Sequence, residues 1–138
     1  MTEKKVIDSN KYIDFVRQTT SPASTNYADL LSRLSQLEVE SDVDVPRLLT
    51  AALGMTAEAG EFTEVVKKIF LQGKPYNEES VFHMKRELGD IMWYISQACI
   101  ALDTSIEDII YMNIEKLEAR YPDGFEAFRS NNRDEGDI

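Results

Sequence analysis

The chain has little of the residues that build disulfides or zinc sites: one cysteine, Cys99, and one histidine in 138 residues. One cysteine cannot form a disulfide within the chain, and this pair cannot supply the ligands of a zinc site. No apolar run reaches the roughly 18 residues that a membrane-spanning helix needs. Residues 1–10 carry charge without a following apolar segment, so we expect no secretory signal. These absences favour a reduced, cytoplasmic setting.

Basic residues are also few, with 15 Lys and Arg against 25 Asp and Glu and a net charge of −10. This charge argues against binding to a nucleic-acid polymer, because such binding requires clustered basic residues. A nucleotide is not excluded, since bound cations can reverse the sign of a local site. The length and the 43% hydrophobic content predict a single globular domain over residues 1–138, with a core at about 9–125.

Strand signals are scarce, whereas apolar residues recur with the 3.6-residue period of a helix. The sequence therefore predicts an all-α bundle of four to five helices. The predicted helices cover about 9–19, 25–38, 45–72, 77–102 and 104–121. The expected caps are Ser9, Asp44, Asn77 and a capping box of Thr104 with Glu107, and the expected stops are Gly73 and Pro122. The tail at 126–138 is almost without apolar residues and is expected to be loose.

Two similar acidic motifs stand on the two longest predicted helices, "AEAGEF" at 57–62 and "RELGDI" at 86–91. Residues three apart on a helix share a face, so Glu58 points with Glu61 and Glu87 points with Asp90. The 25 residues between Glu61 and Glu87 suffice to end one helix and return the next antiparallel to it. The sequence thus predicts an antiparallel pair of long helices on which four carboxylates face one another.

Such acids have three interpretations. A solvated charged face is the usual one for a single helix, but the apolar residues beside both pairs argue against it. Carboxylates this close cannot all ionise without a cation, and oxygen ligands suit Mg²⁺, with Mn²⁺ as a substitute. A ferritin-type di-iron site needs Glu-x-x-His on two helices, and His83 alone cannot supply two such motifs. A surface or half-buried position is expected for His83.

Beyond the acids, the segments "LLTAALGMTAEAGEFTEVVKK" (48–68), "ELGDIMWYI" (87–95) and "NIEKLEARYPDGF" (113–125) resemble the small, single-domain MazG-like nucleoside triphosphate pyrophosphohydrolases. The resemblance covers about 45–125. It implies hydrolysis of a nucleoside triphosphate, here with a leaning toward deoxynucleotides, to the monophosphate and pyrophosphate. It also implies that divalent metal binds Glu58, Glu61, Glu87 and Asp90. The motif occurs once, so one site per chain is expected. Phage-encoded members extend the expected location to a host cytoplasm.

Hydrolysis of a phosphoanhydride needs a positioned water and cations on the phosphate oxygens. A carboxylate not fully used by metal could accept the proton of that water, and Glu61 is the first choice, with Glu58 as an equal candidate by sequence. Phosphate contacts are expected from Lys68, which returns to the face of Glu61, and from a stripe on the last helix. That stripe consists of Asn113, Lys116 and Arg120, for which a solvated face is the alternative.

Two aromatic residues follow the second acidic motif. Tyr94, four residues after Asp90, should touch the sugar or base, whereas Trp93 points elsewhere and suits core or a subunit interface. The apolar stripes exceed what one small core can bury, so a homo-oligomer is expected, a dimer at least and a tetramer by preference. The rival hypothesis for function is a non-catalytic helical regulatory or interaction module in which the acids form a structural ion site.

Overall fold

The computed structural model describes residues 7–132 of the chain. This part contains seven α-helices and no strand, which confirms the all-α prediction. The helices are α1 (Ser9–Thr19), α2 (Pro22–Thr25), α3 (Tyr27–Glu40), α4 (Val45–Gln72), α5 (Glu78–Ala101), α6 (Ile106–Arg120) and α7 (Ala127–Asn131). Five of them match the predicted ones, while the short α2 and α7 were not predicted. None of these helices is long and apolar enough to cross a membrane.

The chain divides into two compact units, of which the first is Met1–Val45. Helix α1 is capped by Asp8, whose Oδ1 accepts from the backbone N–H of Asn10 and Lys11 at 3.1 and 3.3 Å. The predicted cap, Ser9, was wrong by one residue because the longer carboxylate of Asp8 reaches both N–H groups. Helix α3 begins after Asn26, whose side chain accepts from the second and third helical amides.

The second unit, Pro46–Ile138, contains nearly all of α4 and the whole of α5 and α6. Three contacts show how α4 and α5 run. Near the start of α4, Arg47 Nη1 donates to Gln97 Oε1 at 2.6 Å. About two turns along, Gly54 lies against the ring of Tyr94, and farther on Glu58 meets Glu87. Because positions rising on α4 meet positions falling on α5, the two long helices are antiparallel, as predicted.

The connection from α4 to α5 begins at Gly73, which has φ +72° and ends the helix as predicted. The next residue turns back, and the backbone N–H of Lys74 donates to Lys68 O at 3.0 Å. Helix α5 then begins with a reciprocal cap. The N–H of Ser80 donates to Asn77 Oδ1 and the N–H of Asn77 donates to Ser80 Oγ, both at 3.0 Å, and Ser80 is fully buried. The connection is thereby held at both ends.

Helix α6 opens with a capping box one residue later than predicted. Ser105 Oγ accepts from the N–H of Asp108 at 3.0 Å, and the carboxylate of Asp108 accepts from the N–H of Ser105 at 3.3 Å. The prediction of Thr104 with Glu107 was wrong because both pairs have the same spacing in the sequence. The helix ends before Pro122, as expected. The short α7 falls within the tail expected to be loose, of which 133–138 lie outside the described residues.

The described residues bury few apolar side chains. Only Ala51 and Cys99 are buried among them, joined by Gly54 and Ser80. Large side chains on the long helices are open to solvent instead. Leu53 is 72% exposed, Phe70 76% and Trp93 54%. A chain of this size normally removes about two-thirds of its unfolded surface from water. The long helices of the second unit therefore present apolar surface that the described residues of this unit leave open.

Candidate metal centre

Three of the four predicted carboxylates come together between α4 and α5. One oxygen from each of Glu58, Glu61 and Glu87 lies within 4.8 Å of the other two. Glu58 and Glu61 are one turn apart on α4, and the antiparallel α5 places Glu87 opposite them. Glu58 and Glu87 are half-buried, and Glu61 is exposed. Two helices, each rigid along its own axis, thus fix the cluster.

The charges in this cluster oppose one another. Partial burial of the Glu58 carboxyl raises its pKa above the ordinary value, and the negative charges of Glu61 and Asp90 and a hydrogen bond with Glu87 raise it further. A raised pKa means that full ionisation of this cluster is unfavourable unless a cation neutralises it. The donors are all carboxylate oxygens, which hard divalent ions such as Mg²⁺ prefer. The residues present therefore fit such an ion.

The fourth predicted ligand, Asp90, lies outside the group of three. It is exposed on α5, one turn after Glu87. Its charge still acts on Glu58, so it belongs to the same electrostatic site. Its role as a ligand stays a prediction, because its charge acts on Glu58 but its carboxylate is not in the group of three with close oxygen atoms.

A cleft of about 500 Å³ adjoins the cluster. Its lining residues come from α4, the connection and α5: Ala57, Gly60, Glu61, Glu64, Val65, Lys68, Lys74, His83 and Glu87. This volume lies in the range of small-molecule sites. Two cluster acids, Glu61 and Glu87, face the cleft together with two lysines. Lys68 is among the lining residues and its neighbour Lys67 is not, in agreement with their helical angles.

Lys67 and Lys68 both form ion pairs with a third acid of α4, Glu64. Lys67 Nζ lies 3.0 Å from Glu64 Oε2, and Lys68 Nζ lies 3.1 Å from Glu64 Oε1. Hydrogen bonds from Lys67 and Lys68, together with their charges, lower the pKa of Glu64 below its ordinary value. Glu64 is thus ionised at neutral pH and holds Lys68 at the edge of the cleft. Such an exposed pair is weak enough to exchange for a stronger anion.

The other predicted substrate contacts are not among the residues that line the cleft. Tyr94 is half-buried and packs on Gly54, which is one turn before Glu58 on α4. On α6, Asn113 and Lys116 are exposed, and Arg120 lies with its Cζ 5.9 Å from the centre of the Tyr121 ring. None of these α6 residues is among those that line the cleft. Trp93 is too exposed for core and meets the edge of Tyr94 at 4.9 Å between ring centroids.

Three ionisable lining residues were missed by the sequence reasoning, namely Glu64, Lys74 and His83. Glu64 continues the three-residue spacing of Glu58 and Glu61, and that signal could have found it. His83 stands one turn before Glu87, so its helical angle also pointed to this face. Lys74 lies in the connection after Gly73, where no period applies, and only the folded chain could place it.

The chain is thus an all-α protein in which carboxylates of two antiparallel helices meet beside a cleft that also holds lysines. Residues 47–125 match the family model of the MazG nucleotide pyrophosphohydrolase domain, and the chain belongs to that family. It is 35% identical over 83 residues to the Gene 37 protein of Mycobacterium phage L5. That alignment covers 59% of this chain and 72% of the phage protein. No solved structure is significantly similar to the chain.

Proposed function

We propose that this protein hydrolyses nucleoside triphosphates, deoxynucleotides included, to the monophosphate and pyrophosphate in a Mg²⁺-dependent reaction, for nucleotide-pool control or house-cleaning. The observation that carries the proposal is the cluster of Glu58, Glu61 and Glu87 at a cleft that also holds Lys68. Family membership supports the reaction class. The expected setting is the cytoplasm, or that of a host cell for a phage-encoded form.

The residues divide the work of the reaction as follows. Glu58, Glu61, Glu87 and Asp90 would hold the divalent ion, which when bound would neutralise phosphate charge and make a water more acidic. Glu61 is the preferred general base over Glu58, since Glu61 lines the cleft and Glu58 does not. The proton of the attacking water passes to that carboxylate, the water oxygen forms a bond to phosphorus, and the anhydride between the α- and β-phosphates breaks, so that the monophosphate and pyrophosphate leave.

Substrate contacts are proposed for residues of α4, α5 and α6. Lys68 exchanges its partner Glu64 for a phosphate oxygen, and this exchange adds a charge-assisted hydrogen bond. Tyr94 contacts the sugar or base, since it lies beside the half of the helix pair that carries the acids. On α6, we assign Lys116 to a phosphate, Asn113 to a metal-side or phosphate-side hydrogen bond, and Arg120 to a weaker contact.

Product analysis tests the proposed reaction. The chain is incubated with each standard triphosphate, ribose and deoxyribose, and a few damaged ones, with Mg²⁺ and then with chelator. We expect pyrophosphate and the monophosphate with Mg²⁺ and neither with chelator, because the phosphate charge is then not neutralised. Release of inorganic phosphate alone would contradict the reaction. No release, with melting still raised by Mg²⁺, would favour the non-catalytic module with a structural ion site.

A homo-oligomer is proposed from the uncovered apolar side chains of α4 and α5. Leu53, Met92 and Trp93 are all about half exposed or more. A second copy would remove this surface from water at about 25 cal/mol per Å². We expect light scattering to give a mass at least twice the 15.8 kDa of one chain, with a tetramer favoured. A stable monomer at micromolar concentration would contradict this proposal.

A further inference from the structure

The cleft beside the metal centre has a division of charge along its length. Its acids Glu61 and Glu87 belong to the cluster, whereas Lys68, Lys74 and His83 supply nitrogen atoms, and the remaining acid, Glu64, is paired with Lys68. Lys68 is seven residues after Glu61 on α4, which is about 10 Å along the helix axis. A short chain of linked phosphates fits this division. The phosphate at one end would share the metal, and the phosphate at the other end would accept from the nitrogen donors.

The position of Lys74 is fixed by the backbone of the connection. The left-handed Gly73 turns the chain back, and the N–H of Lys74 is fixed to Lys68 O at 3.0 Å. The residue is half-buried although it is a lysine. Within residues 7–132 no carboxylate forms an ion pair with it, in a chain of 25 acids and 15 basic residues. A lysine directed into a cleft under these conditions suits an anion that arrives from outside.

His83 stands on the opposite wall, one turn before Glu87 on α5, and is half-buried. Its Nε2 lies 3.8 Å from Glu79 Oε1, which is beyond hydrogen-bond distance. Its ring makes an edge-type contact with Phe82, with 6.1 Å between the ring centroids. A neutral imidazole still donates one N–H. His83 can therefore give a hydrogen bond to a phosphate oxygen in either protonation state.

We infer that Lys74 and His83, together with Lys68, form a subsite for the terminal phosphates of the nucleotide, which become the leaving pyrophosphate. The inference rests on the proposed function, because only that reaction leaves two linked phosphates at this end. It assigns the nucleoside to the other side, toward Tyr94. Glu64 is a positioning residue here, since it holds Lys68 until phosphate replaces it.

Binding of inorganic pyrophosphate, with Mg²⁺ present, tests the subsite without turnover. Calorimetry compares the unchanged chain with Lys74→Met, which keeps the apolar stem and removes the ammonium, and with His83→Ala. We expect the dissociation constant for pyrophosphate to rise about tenfold for Lys74→Met and several-fold for His83→Ala, as for loss of charge-assisted and neutral hydrogen bonds. Binding of the nucleoside monophosphate should not change. Lys74→Arg should restore most of the affinity.

Lys85→Met is the matched control, because Lys85 is an exposed lysine of α5 that does not line the cleft. It should bind pyrophosphate as the unchanged chain does. Equal binding by Lys74→Met, His83→Ala and the control, or no binding by the unchanged chain, overturns the inference even if triphosphates are hydrolysed. Conversely, Lys74-dependent binding without any hydrolysis of triphosphates keeps the subsite and rejects the reaction. Far-ultraviolet circular dichroism verifies that each variant is folded.

Discussion

Substitution of Glu61 by glutamine is expected to lower the rate of pyrophosphate release by at least about a hundredfold. Mutation of residues that only support metal ligands already lowers metal affinity or activity by about 10–100-fold. Glutamine keeps the size of the side chain but removes one charge from the cluster, and with it a proposed metal ligand and the proposed general base. Asp90→Asn should have a similar effect if Asp90 is the fourth ligand. Steady-state release of pyrophosphate at saturating Mg²⁺ measures both. Glu118→Gln, an exposed acid of α6, is the control and should be unaffected.

In chelator, the melting temperature of Glu61→Gln should be no lower than that of the unchanged chain. The raised pKa of Glu58 means that its stabilising contribution is present below its unfolded pKa and is lost as pH rises through the folded value. At neutral pH the cluster is therefore repulsive without metal, and removal of the Glu61 charge relieves part of it. In Mg²⁺ the unchanged chain should gain several degrees by mass action and Glu61→Gln much less. A variant that unfolds in chelator would show that Glu61 serves the fold.

Gly54→Ala is expected to destabilise the second unit by about 1–3 kcal/mol through overpacking. Gly54 is buried, and a Cβ added there would overlap the ring of Tyr94 at Cε1, Cδ1 and Cζ. Either the ring must leave or the helices must separate, and the second choice would also pull Glu58 away from Glu87. Urea unfolding gives the stability, and pyrophosphate release reports the site.

A double-mutant cycle shows whether the ring is the cause. With Tyr94→Ala as background, Gly54→Ala should be neutral or should stabilise by up to about 1 kcal/mol, because alanine is the better helix former. Gly89→Ala is the matched control, since a Cβ at Gly89 in the middle of α5 meets nothing within 4 Å. It should also be neutral or stabilising. A loss of stability for Gly54→Ala that persists in the Tyr94→Ala background would contradict the packing account.

The helices were predictable because their boundaries are chemical and local. Asn77, Gly73 and Pro122 act through their own backbone and the next few residues, so the sequence shows their effect directly. Caps were misplaced where two residues of the same type compete at one spacing, as Ser105 and Thr104 do. The short α2 and α7 were missed because four or five residues carry too little periodicity to be recognised.

The acid pairs were predictable for a similar reason, since the helix itself sets the angle between Glu58 and Glu61. The opposite wall of the cleft was not, because it depends on how the connection folds. Lys74 and His83 are nine residues apart and meet the same cleft only after the chain has turned at Gly73 and been capped at Ser80. Long-range placement of this kind is a property of packing, which no periodicity expresses.

Cys99 is buried at 6% exposure on α5, two residues from the contact of Gln97 with Arg47, and it is the only cysteine of the chain. Its thiol can react with an external reagent only when this end of α5 opens. The rate of thiol modification therefore measures how often this end of the helix opens, and no label has to be introduced. Measured with Mg²⁺, with pyrophosphate or with a triphosphate, this rate would show whether ligands at the cleft also slow opening at the far end of α5.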